Sequence, residues 1–448
     1  MTAKQAYQNR TAIVHFGSTK EEYLSLLQSE DHQPLLQQLQ APLKAQLSAE
    51  RHKPGCLDTG RYTLHSIRNR QLQGWLGETE TLPICRARCQ SCRAVFTVLP
   101  SFIMRYRRQD TDCLGKLLEM SLGMGLSNRE TAMVYSWLGT ERGWQPGWIW
   151  SLVQWLGNIM PVCLLLMRLG LTPPVHLLSD EKFAWVGGER IYLFLVSQQE
   201  LVWYGEWMPS TDETTFQHTI SRFLTSMDEA GQICGQLEPE AVFVPASATT
   251  DGWRPVQNAW KKEVPEIELI ECKLHGKKRL SVTLDEFTKT HRDGSPQQRV
   301  QVRDDFNSVL EAPSLSAFSQ RIRRNLERYK DEPILLKRLN ILKEKRFLFT
   351  NSLKYQDAPA YSAPLDRSMR FLEEKIQTSG QYRAADAIDP MLNAWAIVND
   401  LRKFLPGAKK AGQSLAEFFG ANLHGLSWMQ ALNLCTVGNL NSLMPMTS

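Results

Sequence analysis

Apolar residues between positions 176 and 208 come in short runs, a pattern typical of strands rather than of long helices. HLLSD (176–180) is followed by KFAWVGGERIYLFLVSQ (182–198), whose two apolar runs flank Gly187 and Gly188. A glycine pair between such runs favours a hairpin turn. LVWYGEWM (201–208) predicts a third strand. This part of the chain is therefore expected to form a meander of three strands.

The next part of the chain alternates between helical and strand patterns. Apolar residues within 212–230 recur at helical spacing, namely at Phe216, Ile220, Phe223, Leu224 and Met227. AVFVPA (241–246) predicts a buried strand, residues 254–263 a helix, and IELIEC (267–272) a short strand. The predicted order is β-β-β-α-β-α-β, the order of the mixed sheet in the ribonuclease-H fold. We therefore predict an α/β chain of this class.

The regions on either side of this sheet differ in composition. Residues 1–50 are rich in Gln and Leu and predict helices, whereas 51–108 are β-prone, basic and contain cysteines. The predicted division is 1–50, 51–108, 109–172 (helical), 173–405 (the sheet, with a basic helical insertion at about 285–350) and 406–448 (a helical tail).

Residues 148–167 form an uncharged stretch of 20 residues, which is long enough to span a bilayer. The stretch contains Gln154, Asn158 and Pro161, however, and the proline predicts a break between two helices. We expect a pair of buried helices here and no membrane partner.

Basic residues are concentrated more than the net charge of +5 suggests. Residues 321–346 contain ten Lys or Arg against four Asp or Glu. A solvated helical face is the simplest interpretation of such a run, although lysine and arginine also neutralise the phosphates of bound DNA. The candidates for DNA contacts are Arg321, Arg323 and Arg324, with Lys277, Lys278 and Arg279 as a second basic cluster.

Nine cysteines are scattered along the chain without the spacing of a disulfide framework, and the N-terminal MTAKQAYQNR lacks an apolar signal core. Both features favour a reducing, cytoplasmic location. Within CRARCQSCRAVF, Cys89 and Cys92 have the spacing of a metal knuckle, and Cys85 precedes them.

A zinc ribbon needs further ligands upstream of this knuckle. The available residues are His52, Cys56 and His65. We predict a small zinc-ribbon-like region with Zn²⁺ held by Cys56, Cys85, Cys89 and Cys92. The alternative is a degenerate ribbon that is held by packing and keeps its cysteines reduced.

Residues 113–137 show a helix, a break that contains glycine, and a second helix. Ser127 is followed three residues later by Glu130, which predicts a capping box at the start of the second helix. The pattern is that of a helix-turn-helix, and Arg129 would then lie where such a helix meets DNA. An ordinary helical hairpin is the alternative.

Two aspartates follow strand-like runs: Asp180 follows HLLS, and Asp251 follows AVFVPASATT. In the predicted sheet these strands are neighbours, so the two carboxylates would meet. Carboxylates that share divalent metals activate a nucleophile and stabilise the leaving oxygen in phosphodiester chemistry. Each aspartate alone is more simply a turn former or a helix N-cap. Their joint placement favours the metal site.

The segments around these aspartates resemble the catalytic blocks of DDE-type insertion-sequence transposases, over roughly residues 50–430. SDEKFAWVGGERIYLFLVSQ is similar to the first block, and TTDGWRPVQNAWKKEVPEIELIECKLHGKKRL to the second. The pair Cys272 and His275 in CKLH is similar to a pair in the related Mutator-like group. From the sequence it is a structural brace, a metal pair or a DNA contact.

The third block of the family is similar to YSAPLDRSMRFLEEK (361–375), where Asp366 stands in place of the usual glutamate. Glu373 and Glu374 are the alternatives for the third acid. The segment CRARCQSCRAVF with the following VFTVLPSFIMRYRR is also similar to the zinc ribbon of such transposases.

The resemblance implies a transposase that uses Mg²⁺ or Mn²⁺, bound by Asp180, Asp251 and Asp366 or Glu373. It would cleave DNA at element ends and transfer the freed strand into target DNA. The implied partners are terminal repeats, target DNA and further copies of the chain, in the cytoplasm and on the nucleoid, with no small-molecule substrate. The alternatives are an inactive DNA-binding derivative and a ribonuclease-H-like nuclease without strand transfer.

Overall fold

The structure is a computed structural model, and it describes residues 13–28, 32–47, 56, 61–105, 107–138, 145–186, 188–290, 296–355, 357–378 and 385–440.

An N-terminal sheet has the strand order β1-β4-β3-β2. Its strands are β1 (Ile13–Phe16), β2 (Tyr62–Gln73), β3 (Thr79–Cys89) and β4 (Val95–Pro100). β1 runs parallel to β4, and the other pairs are antiparallel. The helices α1 (Lys20–Leu27) and α2 (Gln33–Gln46) pack in the same core as the sheet. The region 1–50 thus contributes a strand as well as the predicted helices.

A helical layer follows, formed by α3 (Thr111–Leu118), which continues as a π-helical turn (Glu119–Gly123), α4 (Asn128–Trp137), α5 (Pro146–Gly157) and α6 (Val162–Arg168). The predicted break at Pro161 is confirmed, since this proline directly precedes α6. No single helix in the described residues is long and apolar enough to cross a membrane; α5 and α6, bent by 63°, meet that test only together. Leu152, Leu156 and Leu165 of this pair are fully buried.

The central sheet has the strand order β7-β6-β5-β8-β9. Along the chain it is built from β5 (His176–Val186), β6 (Glu189–Gln198), β7 (Leu201–Met208), α7 (Glu213–Ile233), β8 (Ser247–Thr250), α8 (Arg254–Glu263) and β9 (Glu268–Glu271). β5, β6 and β7 are antiparallel, whereas β8 lies parallel to both β5 and β9. The predicted element order and the mixed sheet are confirmed.

The strand predicted at 241–246 is wrong, because β8 starts only at Ser247. Val242 and Val244 are 65% and 58% exposed, so their alternation does not mark a sheet position. Only Phe243 between them packs inward, against Phe223 of α7. The true strand has small residues that fit between two buried neighbours.

Helices cover both faces of the central sheet. Phe194 of β6 packs edge-on against Phe216 of α7, which places α7 and α8 on one face. On the other face a Cβ at Gly205 of β7 would lie 3.6 Å from Leu392. This second face is covered by α14 (Ala363–Thr378) and α15 (Ile388–Leu401).

The insertion consists of α9 (Lys273–Thr290), α10 (Pro296–Leu310), α11 (Leu315–Arg328), α12 (Pro333–Glu344) and α13 (Arg346–Thr350). It has a core of its own, with Phe306, Phe318 and Leu339 among its buried residues. Helices start directly after β9, earlier than the predicted position 285. The tail has the short helices α16 (Leu415–Phe418) and α17 (Trp428–Cys435).

Candidate active site

Strand register brings Asp180 and Asp251 to the same level of the sheet. Leu178 of β5 pairs with Thr249 of β8 in parallel orientation. Two residues further along each strand lie Asp180 and Asp251, and β8 ends just before Asp251. The expectation that Asp180 ends a strand is wrong, because β5 continues to Val186 through its pairing with β6. The parallel neighbour β8 ends beside Asp180, so both aspartates lie at the same edge of the sheet.

Alternation along β5 separates the side chains around Asp180 onto two faces. Asp180 and Lys182 point toward α14, because the Lys182 Nζ lies 3.3 Å from the Asp366 Oδ1. Ser179 points the other way and accepts a hydrogen bond of 3.1 Å from the Trp260 Nε1 of α8. The acids on the Asp180 side therefore belong to β5 and α14.

Asp180 is nearly buried, with 5% of its surface exposed. Burial, and then the negative charge of Asp366, raise its pKa to about 7, while Lys182 opposes this shift. The backbone N–H of Glu181 donates to its Oδ1 over 2.9 Å. A cation bound nearby would lower this pKa, because a positive charge favours the ionised form of the carboxyl.

The contacts of Lys182 distinguish among Asp366, Glu373 and Glu374, the candidates for the third acid. Its Nζ lies 3.3 Å from the Glu373 Oε1 as well as from Asp366. Asp366 and Glu373 are seven residues apart and share one face of α14. Glu374 turns away, pairing with Arg370 and packing against Gly125. Lys182 of β5 therefore contacts both Asp366 and Glu373, of which Asp366 also acts on Asp180, whereas Glu374 lies outside this group.

Asp251 begins a tight turn before α8. Its Oδ1 accepts a hydrogen bond of 2.8 Å from the Trp253 N–H, so it is also a turn former. Gly252 has a φ of +90°, and a Cβ there would lie 2.3 Å from the Glu271 Cδ. Arg279 donates to the Asp251 carbonyl oxygen. Only glycine fits beside Asp251, which explains the Asp-Gly pair.

Glu271, at the end of β9, is a site residue that sequence reasoning missed. It is 1% exposed and pairs with Arg279 and with Lys345, whose Nζ lies 2.7 Å from the Glu271 Oε2. Lys345 also donates to the Gly252 carbonyl oxygen over 3.4 Å. Glu271 thus holds two cations against the turn of Asp251. An acid inside the apolar run IELIEC was the available signal.

Glu181 and Lys182 were missed as well. Burial, followed by the charges of Asp251 and Asp180, raises the pKa of Glu181 to about 8. The signal was a charged pair in the interior of a strand, a position that apolar residues usually occupy.

Cys272 joins the end of β9 to the loop before α14. Its Sγ accepts a hydrogen bond of 3.2 Å from the Ser362 N–H, and the Ser362 Oγ donates to Asp366 over 3.4 Å. His275 lies in α9, where burial lowers its pKa while Asp251 and Asp366 act in the opposite direction. Of the uses open to this pair, these contacts support a structural brace for Cys272.

The donor set at this edge consists of carboxylate oxygens, the ligands that Mg²⁺ and Mn²⁺ prefer. Among the described residues, however, only Cys56, Cys89 and Cys92 form a group of three whose ligand atoms all lie within 4.8 Å of one another. The carboxylates are spaced more widely, with the Lys182 ammonium between two of them. The chemical type of these donors therefore suits Mg²⁺ or Mn²⁺.

The cysteine cluster lies where β3 turns into β4. The Cys56 and Cys89 Sγ atoms are 3.8 Å apart. Cys85 does not join them, because it lies four residues before Cys89 on the same strand, a separation of about 13 Å. Its backbone N–H donates to the Tyr23 hydroxyl instead. His65 contacts Arg88, and His52 lies outside the described residues.

The capping box of α4 is present as predicted. The Glu130 N–H donates to the Ser127 Oγ over 3.1 Å, and the Ser127 N–H to Glu130 over 2.8 Å. Arg129 is exposed on the first turn. The preceding turn is fastened to α14 by the buried Lys375, whose Nζ donates to Ser121, to the Leu126 carbonyl and to Asn128.

The predicted DNA-contacting residues fall into two groups. Lys277 pairs with Glu311, Arg279 with Glu271, and Arg321 donates to the Ser308 carbonyl. The others are exposed, namely Arg129, Lys278, Arg323 and Arg324.

Comparison with known proteins adds one match. Residues 54–135 match a family model described as a domain of unknown function (DUF6431). This segment includes the cysteine cluster, α3 and most of α4. No curated protein matches the chain.

Proposed function

We propose that this protein is a DNA transposase of the DDE type, which cleaves phosphodiester bonds at element ends and joins the freed strand to target DNA. One observation supports this most: Asp180 and Asp251 stand level on neighbouring parallel strands, and Lys182 ties Asp366 to them. The order β7-β6-β5-β8-β9, three antiparallel strands followed by two parallel ones, is also that of a ribonuclease-H-like sheet.

Asp180, Asp251 and Asp366 would hold Mg²⁺ or Mn²⁺, with Glu373 next to Asp366 as a further oxygen donor. When bound, two such ions activate the attacking oxygen and stabilise the leaving oxygen of an in-line displacement. Arg279 and Lys345 donate hydrogen bonds to the carbonyl oxygens of Asp251 and Gly252. These bonds would keep the Asp251 carboxylate at the level of Asp180. Before ions bind, Lys182 balances the charge of Asp366 and Glu373.

The N-terminal half would recognise the DNA. We propose that Cys56, Cys89 and Cys92 hold Zn²⁺, which is a good match for three thiolates at this spacing. The ion would fasten the turn between β3 and β4. Arg129 on α4 is exposed and would contact DNA. Strand transfer would take place in the cytoplasm and would involve further copies of this chain.

Duplexes that cover the DNA flanking the coding sequence provide a direct test. The full chain is incubated with labelled duplex and Mg²⁺ or Mn²⁺, beside an Asp180→Asn variant. We expect cleavage and joined products from the first and neither from the second, because an ion ligand is removed. Cleavage without joining would instead indicate a nuclease.

The inactive alternative is favoured by one observation, the Lys182 ammonium that lies between Asp366 and Glu373. A chain that only binds DNA would retain the duplex in both forms and cleave it in neither. That result would overturn the proposed activity.

A further inference from the structure

A cleft of about 510 Å³ opens in the insertion between α11 and the segment from α12 to α13. Its polar wall is formed by Ser316, Ser319, Gln320, Arg323, Lys343 and Arg346. Its apolar floor is formed by Phe318, Ile322 and Leu326. The wall combines three cations with two hydroxyls and an amide, and no carboxylate lines the cleft.

Several basic residues near the cleft have partners of their own. Arg321 donates to the Ser308 carbonyl, Arg328 pairs with Asp305, and Lys345 pairs with Glu271. Among the residues that the structure describes, Arg323, Lys343 and Arg346 form no ion pair. Like charges that converge without a counter-ion repel one another, and a polyanion in the cleft would remove that repulsion.

The floor makes the cleft a stable feature of the insertion. Phe318 of α11 stacks on Phe349 of α13, with ring centroids 6.4 Å apart and an interplanar angle of 17°. Phe318, Ile322 and Phe349 are each at most 3% exposed. The backbones that present Arg323 and Arg346 are therefore fixed relative to each other before any ligand binds.

The cleft is also adjacent to the acids in the chain. Arg346 follows Lys345, whose ammonium reaches Glu271 and the Gly252 carbonyl oxygen beside Asp251. Consecutive Cα atoms are about 3.8 Å apart, so one backbone step leads from the support of the Asp251 turn to the cleft wall. The cleft wall and the support of the Asp251 turn are therefore consecutive along the chain.

We propose that this cleft binds the phosphodiester backbone of the DNA strand that is processed at the acids. The proposal rests on the proposed function, and it adds a named strand-binding surface. Arg323 and Arg346 form hydrogen bonds and ion pairs with phosphate oxygens, Lys343 adds a third charge, and the hydroxyls of Ser316 and Ser319 donate to the same groups.

The test measures the binding of a labelled duplex by the full chain without divalent ions, across a range of salt concentrations. The cleft variant is Arg323→Gln with Lys343→Gln and Arg346→Gln, and Arg324→Gln is the matched control. Arg324 is the next residue on α11, is also exposed, and lies outside the cleft. All these side chains lie at or near the surface, and circular dichroism checks the fold.

We expect the cleft variant to bind roughly 30-fold more weakly and to lose about two to three units of the salt dependence, since each lost phosphate contact removes about one. Arg324→Gln should lose at most one unit. Arg323→Lys, which keeps the charge, should restore most of the affinity that Arg323→Gln alone loses.

Equal affinity of the cleft variant and the normal chain would overturn the proposal, and so would an equal loss in the control. Titration with inorganic phosphate and with a free nucleotide distinguishes a DNA backbone from a small anion that carries the same phosphate group. If phosphate or the nucleotide binds in calorimetry and this binding depends on Arg323, while the cleft variant still binds DNA normally, the cleft is a site for small anions. That result would also overturn the proposal. Cleft-dependent DNA binding without cleavage supports the cleft while refuting the transposase, so the two failures are distinguishable.

Discussion

Two clusters of ligand-type side chains lie in different parts of this molecule, and they are assembled differently. The thiols of Cys56, Cys89 and Cys92 lie within 4.8 Å of one another. The carboxylates of Asp180 and Asp366 are accompanied by Lys182, and the turn of Asp251 is held by Arg279 and Lys345.

The difference follows from charge. Thiols are neutral when protonated, so they can approach before an ion arrives, and burial raises the pKa of Cys89 further. Carboxylates at neutral pH repel one another and need cations or protons to share a small volume. The cysteine cluster is thus ready for an ion without help, whereas the acids depend on the protein's own cations.

The largest expected effect is at the cysteines. Cys89→Ser should abolish Zn²⁺ binding by the full chain and lower its melting temperature, because metal binding contributes folding free energy. Metal content by mass spectrometry and a thermal melt measure this. Cys85→Ala is the control and should retain the metal, since Cys85 lies outside the cluster. Loss of Zn²⁺ in both variants would show that the cluster has been assigned to the wrong residues.

A smaller effect is expected at the cations that support Asp251. Glu271→Gln leaves Arg279 and Lys345 without the buried charge that holds them, and should cost roughly 2 kcal/mol of unfolding free energy, the scale of a hydrogen bond to a charged group. Urea unfolding measures it. Glu268→Gln, on the same strand but in an exposed pair with Lys354, should cost less than about 0.5 kcal/mol. Equal costs at both positions would contradict the role of Glu271.

Lys182 sharpens the comparison further, because its ammonium competes with a divalent ion for Asp366 and Glu373. Lys182→Met should tighten Mn²⁺ binding by about tenfold in calorimetry, corresponding to about 1.4 kcal/mol. It should also make the ion-free protein less stable. Lys116→Met, in an exposed pair with Asp112, is the control and should leave the Mn²⁺ affinity unchanged. Weaker Mn²⁺ binding in Lys182→Met would mean that the lysine assists the ion.

A pH dependence of stability is also expected. Because the pKa of Asp180 is raised to about 7, the folded state keeps a proton that the unfolded state releases near the ordinary value of 3.8. Without divalent ions, the unfolding free energy should therefore fall as the pH rises from about 4 through 7. Asp180→Asn should remove at most about 1.4 kcal/mol per pH unit of this slope.

Urea unfolding in a chelator at several pH values gives that slope. Part of it should remain in Asp180→Asn and extend above pH 7, because the pKa of Glu181 is raised to about 8. Asp112→Asn, at an exposed position, should leave the slope as it is. An identical slope in Asp180→Asn and the normal chain would refute the raised pKa.

Local patterns predicted much of this structure. The order of strands and helices from β5 to β9 follows from hydrophobic periodicity, and the capping box of α4 from Ser127 and Glu130. The strand at 241–246 failed because Val242 and Val244 alternate on a surface segment, while the buried SATT has no strong apolar signal.

The site was harder to predict than the fold, because its contacts connect distant residues. Glu271 and Lys345 are 74 residues apart, and Lys182 and Asp366 are 184 apart. No spacing rule links such pairs. The register of β5 and β8, which sets Asp180 beside Asp251, depends on the whole sheet. Cys85 was misassigned because closeness in sequence does not place two residues of one extended strand at a shared ion.

One helix, α14, touches both halves of the molecule. Asp366 and Lys375 are nine residues apart, about half a turn around the helix axis, so they leave α14 on opposite sides. One side is tied to Lys182 in the sheet, and the other to the turn before α4 through the hydrogen bonds of Lys375. Polar contacts therefore hold α14 on two opposite sides. A rotation of the α4 turn would therefore displace Asp366 or break one of these two sets of contacts.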